Sequence, residues 1–355
     1  MDRSALTREI KRAALAVGFD GVGVAPARPL PPERFLLWLQ RGFHGGMQYL
    51  ERNPERRLDP ELVLPGARSI LSLKVHYEAG AGREESPEVG VIARYARGRD
   101  YHRVLEPCLR ALLGRIRELA PGTSGRWYTD TGPILEKAWA QEAGLGWVGK
   151  HTNLIAGKAG SYFFLAELLL DLELEPDIPA PDHCGSCTRC LDACPTQAIV
   201  APYVLDASRC ISYLTIEHRG DLPEALRPRL GNLIFGCDIC QEVCPWNRTP
   251  APAKEPAFAS QTRDLRLTTL AELTPESFAR VFSGSAVKRT KWRGFLRNVA
   301  VALGNWGDRR AVPALRRLAA SAEELVARHA AWALGRLEEG QPAGVAAGEA
   351  RESEK

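Results

Sequence analysis

The sequence has no run of about eighteen apolar residues, the length a helix needs to cross a bilayer, so no membrane-spanning helix is expected. It also lacks an apolar N-terminal stretch, because Asp2, Arg3, Arg8 and Glu9 interrupt the first ten positions. No secretory signal is therefore expected, and the expected location is cytoplasmic. Excess charge of one sign is missing too. There are 47 Lys and Arg against 43 Asp and Glu, a formal net charge of +4. With 45% hydrophobic and 25% charged residues, the composition excludes a disordered chain and a fibrous repeat. The 355 residues exceed one typical core, so two or three domains are expected.

A disulfide framework is excluded as well. The chain has 9 cysteines, an odd number, and all but Cys108 lie between Cys184 and Cys244. Such clustering in a reducing compartment points to metal. Cys108 falls in a helical stretch and reads as a small buried hydrophobe.

The spacing Cys184-x2-Cys187-x2-Cys190-x3-Cys194-Pro195 is that of a bacterial ferredoxin, in which the fourth cysteine serves the other cluster. The second set, Cys237-x2-Cys240-x3-Cys244-Pro245, lacks one loop cysteine, which Cys210 can supply. Two complete sites result. Cys184, Cys187, Cys190 and Cys244 hold one 4Fe-4S cluster, and Cys210, Cys237, Cys240 and Cys194 hold the other. Two structural zinc sites are the alternative, but zinc favours separated CxxC knuckles without crossed fourth ligands. Adjacent cubes form an electron wire, and the 175 residues before the cysteines are expected to hold the acceptor.

Elements alternate before the cysteines. Residues 4–17 read as an amphipathic helix, Gly21–Ala25 and Ser69–Tyr77 as strands, Glu106–Leu119 as a helix, and Arg126–Asp130 as a strand. The segment from Thr131 to Gly144 reads as a helix with Pro133 in its first turn. NLIA and the run from Ser161 read as apolar strands. The expected architecture is an α/β domain over 1–175, a ferredoxin-like two-cluster module over 176–250, and a Pro-rich linker with all-α HEAT-like helices over 251–340. The tail, 341–355, is expected to be disordered. The helical repeat is visible in sequence, since Arg297–Asn305 recurs as Arg328–Arg336.

Charge is unevenly spread. Between Arg280 and Arg317 ten basic residues face one acid, Asp308, so that segment carries +9 and the rest of the chain −5. This is the footprint of a polyanion partner, with Lys288, Arg289, Lys291, Arg293 and Arg297 as candidate nucleic-acid contacts.

Two motifs are set aside. Gly144–Gly149 matches GxGxxG and, with Lys150, GxxxxGK. Its glycines follow a helix rather than a strand, and His151 stands where a P-loop needs Ser or Thr. The Asp100-Tyr101-His102 triplet begins a D-x-H-x-x-G cobalamin motif, but Leu105 replaces its glycine. A solvated or core role is the default for each histidine.

Several pieces together carry a resemblance: Glu55–Leu58, Leu64–Ile70, Arg94–His102, Asp130–Pro133, Ala143–Lys150, and the cysteine run with Arg209–Tyr213. Over about residues 1–340 the chain resembles the epoxyqueuosine reductases. The resemblance implies reduction of epoxyqueuosine to queuosine at the wobble position of tRNA. Electrons would pass from an external donor through two 4Fe-4S clusters to a base-off cobalamin in the α/β domain. It implies that Asp130 is the acid and that Arg57 contacts the corrin. It also implies that Leu154 and Asp238 approach the cofactor and that the anticodon stem-loop is the partner. A cobalamin-dependent reductive dehalogenase acting on a small molecule is the rival reading. A pure electron-transfer or tRNA-binding protein is a third.

Overall fold

The computed structural model describes residues 2–80, 86–261 and 263–339. The expected disordered tail at 341–355 lies outside the described residues. Helix α1 (Arg3–Ala16) starts where the Asp2 carboxylate accepts a hydrogen bond from Ala5 N at 2.7 Å, and it buries Ile10 and Ala14. Strand β1 (Gly21–Pro26) follows, then the short helices α2 (Glu33–Gln40) and α3 (Pro54–Leu58) and strand β2 (Ser69–His76). Next come β3 (Val91–Ile92), α4 (Tyr101–Leu119), β4 (Gly125–Tyr128), α5 (Glu136–Glu142), β5 (Trp147–Val148), β6 (Leu154–Ile155) and β7 (Phe163–Leu170).

The main sheet has the order β1-β2-β7-β4, and every pair in it is antiparallel. Period-two alternation divides its side chains between two layers. Leu71, Leu73, Val75, Leu168 and Leu170 face α1 and α4, while Ile70, Ala25 and Leu169 pack on Trp139 of α5. Gly23 makes this second layer possible, since a Cβ there would lie 2.0 Å from the Ala143 carbonyl.

Strand β4 ends at Tyr128, which leaves Asp130 beyond the strand, and two helix starts differ from the sequence reading. Helix α4 begins at Tyr101 rather than Glu106, because the Asp100 side chain accepts from His102 N and caps it. Helix α5 begins at Glu136, with Leu135 as its N-cap. Pro133 therefore precedes that helix rather than opening it, and the segment from Asp130 to Leu135 is free to form a loop.

The cysteine-bearing part holds α6 (Arg189–Asp192), the hairpin β8 (Ile199–Ala201) and β9 (Val204–Leu205), α7 (Ile211–Ile216), β10 (Leu233–Phe235) and α8 (Ile239–Glu242). The last part holds α9 (Leu267–Leu270), α10 (Pro275–Val281), α11 (Lys291–Trp306), α12 (Val312–Ala319) and α13 (Glu324–Glu338). The two copies of the sequence repeat lie in α11 and α13, which pack against each other and around α12.

These parts share cores. Strand β3 pairs in parallel with β10, and Ile92 and Phe235 join Leu267, Phe295 and Val299 in one apolar cluster. The Pro-rich segments are packed rather than loose. Asp177 accepts from Val24 N at 2.8 Å and pairs with Lys11, and Phe258 is buried in the layer beneath α4. Among the described residues no helix is long and apolar enough to cross a membrane.

Candidate active site

A cleft of about 1280 Å³ opens beside the sheet, above the range common for small-ligand sites. One wall carries Arg57, Asp130, Glu136, Lys137, Leu154 and Phe163, and another carries Cys194, Cys210, Cys237, Asp238 and Cys240. Lys288, Arg289 and Lys291 contribute from the helical part, and Tyr49 stands opposite.

The thiols fall into two neighbourhoods, joined by an influence of Cys190 on Cys240. Burial and the nearby Cys244, Cys184 and Cys187 push the Cys190 thiol up to about 11. Burial raises Cys244 too, followed by Cys184 and Cys187. In the second set, burial and then Cys240 and Cys210 raise Cys237. Burial raises Cys240, with Cys210 and Cys194 next in effect, and Cys210 in turn feels Cys194 after burial. Thiols so crowded resist ionising together unless a cation neutralises them, which is the service a metal cluster performs. The Lys150 ammonium donates to the Gly185 and Cys187 carbonyls at 2.6 and 2.9 Å and so fixes the first loop. The Gly-rich stretch before it is a helix stop: Gly144 has φ +73° at the end of α5, and Gly146 abuts the Ile155 carbonyl. Cys108 is half-buried in α4.

Asp130 is not a helix cap. It sits in the left-handed region at φ 60°, a conformation Asp tolerates better than most residues. Its N–H donates to the Glu136 carboxylate, and its Oδ2 accepts from the Tyr101 hydroxyl at 2.9 Å. His102 Nε2 lies 3.6 Å from the same oxygen, and His102 Nδ1 lies 2.7 Å from Asp100. Burial disfavours the charged His102 ring, but Asp100 and Asp130 outweigh it and hold its pKa at about 9. Burial likewise raises Asp130, yet bonds from His102 and Tyr101 win, leaving it below the ordinary carboxylate value. Its side chain is 60% exposed within the open cleft. Desolvation alone therefore does not protonate Asp130 here, and the proton near neutrality resides on His102. Glu136 holds another, since burial and the Asp130 charge push it up to about 8.

Tyr101, His102 and Glu136 escaped the sequence reading. The Asp100–His102 triplet was visible and was set aside only because its cobalamin motif is broken. Nothing in the sequence marked Glu136.

The cofactor candidates lie along the cleft. The Arg57 guanidinium donates to the Tyr49 carbonyl at 3.1 Å and the Gly132 carbonyl at 3.4 Å, which leaves its buried Nε without a partner. Leu154 is buried in β6. Asp238 is buried at the N-cap of α8, where it accepts from Arg94 N at 2.7 Å. His151 lines the cleft with Nδ1 accepting from Asn153 N, so the neutral ring carries its proton on Nε2, a buried donor that also lacks a partner. Two orphaned donors in a cavity of this size fit a large ligand rich in carbonyl groups, as a corrin is.

The basic candidates divide. Lys288, Arg289, Lys291 and Arg293 are exposed. Arg297 is 0% exposed and is not a surface contact. Its guanidinium donates to the Leu214, His218 and Gly220 carbonyls and to Asn298 Oδ1. The apolar face of α11 buries position 297 against α7, and α7 and the loop after it supply its carbonyl acceptors. Its counterpart in the second repeat, Arg328, is exposed and pairs with Asp221 and Glu324.

Comparison with known proteins follows the same division. A model of a 4Fe-4S double cluster binding domain matches residues 183–247. One described as epoxyqueuosine reductase QueG, DUF1730, matches residues 57–131, and one of HEAT repeats matches residues 294–347. The epoxyqueuosine reductase of Cellulophaga algicola is 46% identical over 82% of this chain and 95% of its own length. That of Escherichia coli K12 is 41% identical over 94% of this chain and 90% of its own. Among solved structures, an epoxyqueuosine reductase with an epoxyqueuosine-modified tRNA-Tyr stem loop superposes with TM-score 0.88 at 32% identity, covering 94% of this chain and 90% of that one. The Bacillus subtilis enzyme, captured with its catalytic aspartate loop swung out of the active site, also scores 0.88 at 31% identity, with the same coverage.

Proposed function

The chain belongs to the epoxyqueuosine reductase family, and from that premise we propose that it reduces the epoxide of epoxyqueuosine to the alkene of queuosine at the wobble position of tRNA. It is an oxidoreductase carrying two 4Fe-4S clusters. The observation that carries the reading is one cleft that brings Asp130 together with the four thiols of the second set. A proton source and an electron source then face the same reacting group. Relatives this similar along most of the chain favour tRNA over the small molecule of a reductive dehalogenase.

The reaction needs two electrons and two protons: both C–O bonds break, the alkene forms, and the oxygen leaves as water. Cobalamin would fill the cleft against Arg57, Leu154, His151 and Asp238, supplying a cobalt centre that hands cluster electrons to the C–O bond. The chain's own residues manage the proton. His102, held charged by Asp100, passes one proton through the Asp130 carboxylate to the departing oxygen, and solvent water in the open cleft supplies the second. Tyr101 orients the carboxylate, and the Glu136 carboxyl holds the Asp130 backbone in its turn.

The α/β part thus serves the cofactor, the cysteine module conducts, and the helical part grips the polyanion. Lys288, Arg289, Lys291 and Arg293 bind phosphates of the anticodon stem-loop. Tyr49, 43% exposed with the Arg57 guanidinium 6.0 Å over its ring, offers a flat face for an unstacked base. A tRNA substrate and eight thiolates kept reduced fit a cytoplasmic enzyme.

The test is direct. Anaerobic holoenzyme given reductant and epoxyqueuosine-containing tRNA should convert it to queuosine-containing tRNA, read by mass spectrometry of the nucleosides. Unchanged epoxyqueuosine with fully loaded enzyme overturns the assignment.

A further inference from the structure

The two thiol sets face different ways. All four members of the second set line the cleft, and no member of the first does. The first set is reached from another side, through the exposed loop that carries Cys184 and Cys187. Aromatic rings pack beside it. Trp147 meets Trp246 and His183 edge to face, each at 5.0 Å, and Trp147 shares an apolar cluster with Cys244 and Cys184.

Exposed cations surround this spot. Arg189 adjoins Cys190 at the start of α6. Lys158 lies in a turn, 157–159, that packs on the 245–247 turn bearing Trp246, and Arg248 follows that turn directly. Arg34 sits 5.8 Å over the Tyr203 ring, whose hydroxyl donates to Asp182, and Asp182 in turn accepts from Cys184 N. None of the four cations is drawn into an ion pair with a described residue. The nearby acids are already engaged: Asp182 as just described, Asp192 by the Thr188 hydroxyl at 2.8 Å, and Glu78 and Glu242, which share a groove with Arg248, by Arg94.

We infer that the face ringed by Arg34, Lys158, Arg189 and Arg248 is the docking surface for a small acidic redox protein, which delivers electrons one at a time to the cluster of the first set. The inference rests on the function proposed above. With cofactor and tRNA in the cleft, the second set is covered, so an external donor is left with the first. In each encounter the donor's centre loses one electron and the cluster gains one. Two encounters and two protons convert one epoxide to alkene and water. A partner that must dock and leave twice per turnover suits attraction between opposite charges, which speeds encounter, rather than a large apolar interface.

The test uses holoenzyme with oxidised clusters, mixed in a stopped-flow with an acidic flavodoxin reduced in advance. In the double variant Lys158→Glu/Arg248→Glu, neither changed residue is a ligand. Its second-order reduction rate at low salt should fall at least about tenfold, the lower end of electrostatic steering. The steep decline of the wild-type rate with ionic strength should flatten. A second pair, Arg34→Glu/Arg189→Glu, should do the same. Iron content, tRNA affinity and reduction by photoreduced deazaflavin, which needs no docking face, should stay at wild-type values. Equal flavodoxin rates and equal salt slopes in wild type and both variants overturn the docking face. Deazaflavin-reduced wild type that leaves epoxyqueuosine tRNA unchanged overturns instead the functional reading, and with it the need for a donor face.

Discussion

His102 Nε2 lies 3.6 Å from Asp130 Oδ2, and in the proposed reaction this pair rather than the aspartate alone is the acid. Asp130→Asn removes the proposed proton donor while preserving size. Turnover should drop by ~10²–10⁴, the usual worth of general acid catalysis. Iron, cobalamin and tRNA binding should persist. Because Asp130 helps hold His102 charged, the variant should melt somewhat lower near neutral pH, so turnover is compared at a temperature where both proteins are folded. Normal turnover with a lowered melting temperature would assign the residue a structural role.

The proton store predicts an alkaline limit to activity. His102 stays charged up to about pH 9 because Asp100 and Asp130 outweigh burial. Asp100→Asn keeps the cap on α4 but removes the charge 2.7 Å from Nδ1. The alkaline limb of kcat/KM should therefore move to lower pH, toward the ordinary histidine value, while KM for tRNA holds. An unmoved limb would detach His102 from the reaction.

The same shifts act on stability. A histidine raised from its ordinary value of 6.5 to about 9 stabilises the fold fully below about pH 6.5, and loses that contribution as pH climbs through 9. Glu136, raised from 4.5 to about 8, adds in the same direction, since the unfolded chain gives up that proton sooner. Melting temperature should decline between pH 6.5 and 9 in wild type, and decline less in His102→Gln/Glu136→Gln. Parallel curves would count against both shifts.

Arg293 and Arg297, four residues apart, should behave oppositely. Arg297→Ala strands the buried Leu214 carbonyl and Asn298 amide oxygen, at about 1–3 kcal/mol for each group left unsatisfied, and frees the part-buried His218 and Gly220 carbonyls. Partial relaxation should bring the loss to roughly 3–5 kcal/mol, visible in denaturant unfolding. Arg293→Glu should leave stability alone, weaken tRNA binding and flatten its salt dependence, because it would remove the proposed phosphate contact and its counterion release. Unfolding curves for Arg297→Ala that overlay wild type would contradict the buried network.

These contrasts show what was legible in the chain before its fold. Ligand spacing is local, so the cysteine loops could be read residue by residue. The strands and the paired helices α11 and α13 follow from periodicity, which is also local. Arg297 misled because a charged residue in a basic run looks exposed until α7 and the loop after it supply acceptors from about 80 positions away. The partnership of Tyr101 and His102 with Asp130 was illegible for a similar reason: α4 and the loop after β4 meet only in the folded sheet. Glu136 became meaningful only once α5 was seen to start there rather than at Pro133.

The crossed ligand pattern yields the last prediction. Cys244 follows Cys237 and Cys240 in sequence, yet its neighbours in space are Cys184 and Cys187, while Cys194 stands with Cys210 and Cys240. Cys244→Ala should therefore cost the cluster whose other ligands lie some sixty residues upstream and leave the cleft-side cluster intact. Cys194→Ala should do the reverse. Each variant should hold about half the iron of wild type, since each cube takes four thiolates. Their residual clusters should differ in electron paramagnetic resonance, because one set lines the cleft and the other does not. Adding cobalamin or tRNA should then perturb the signal of Cys244→Ala and leave that of Cys194→Ala unchanged. Were ligation sequential instead, the responses of the two variants would be exchanged.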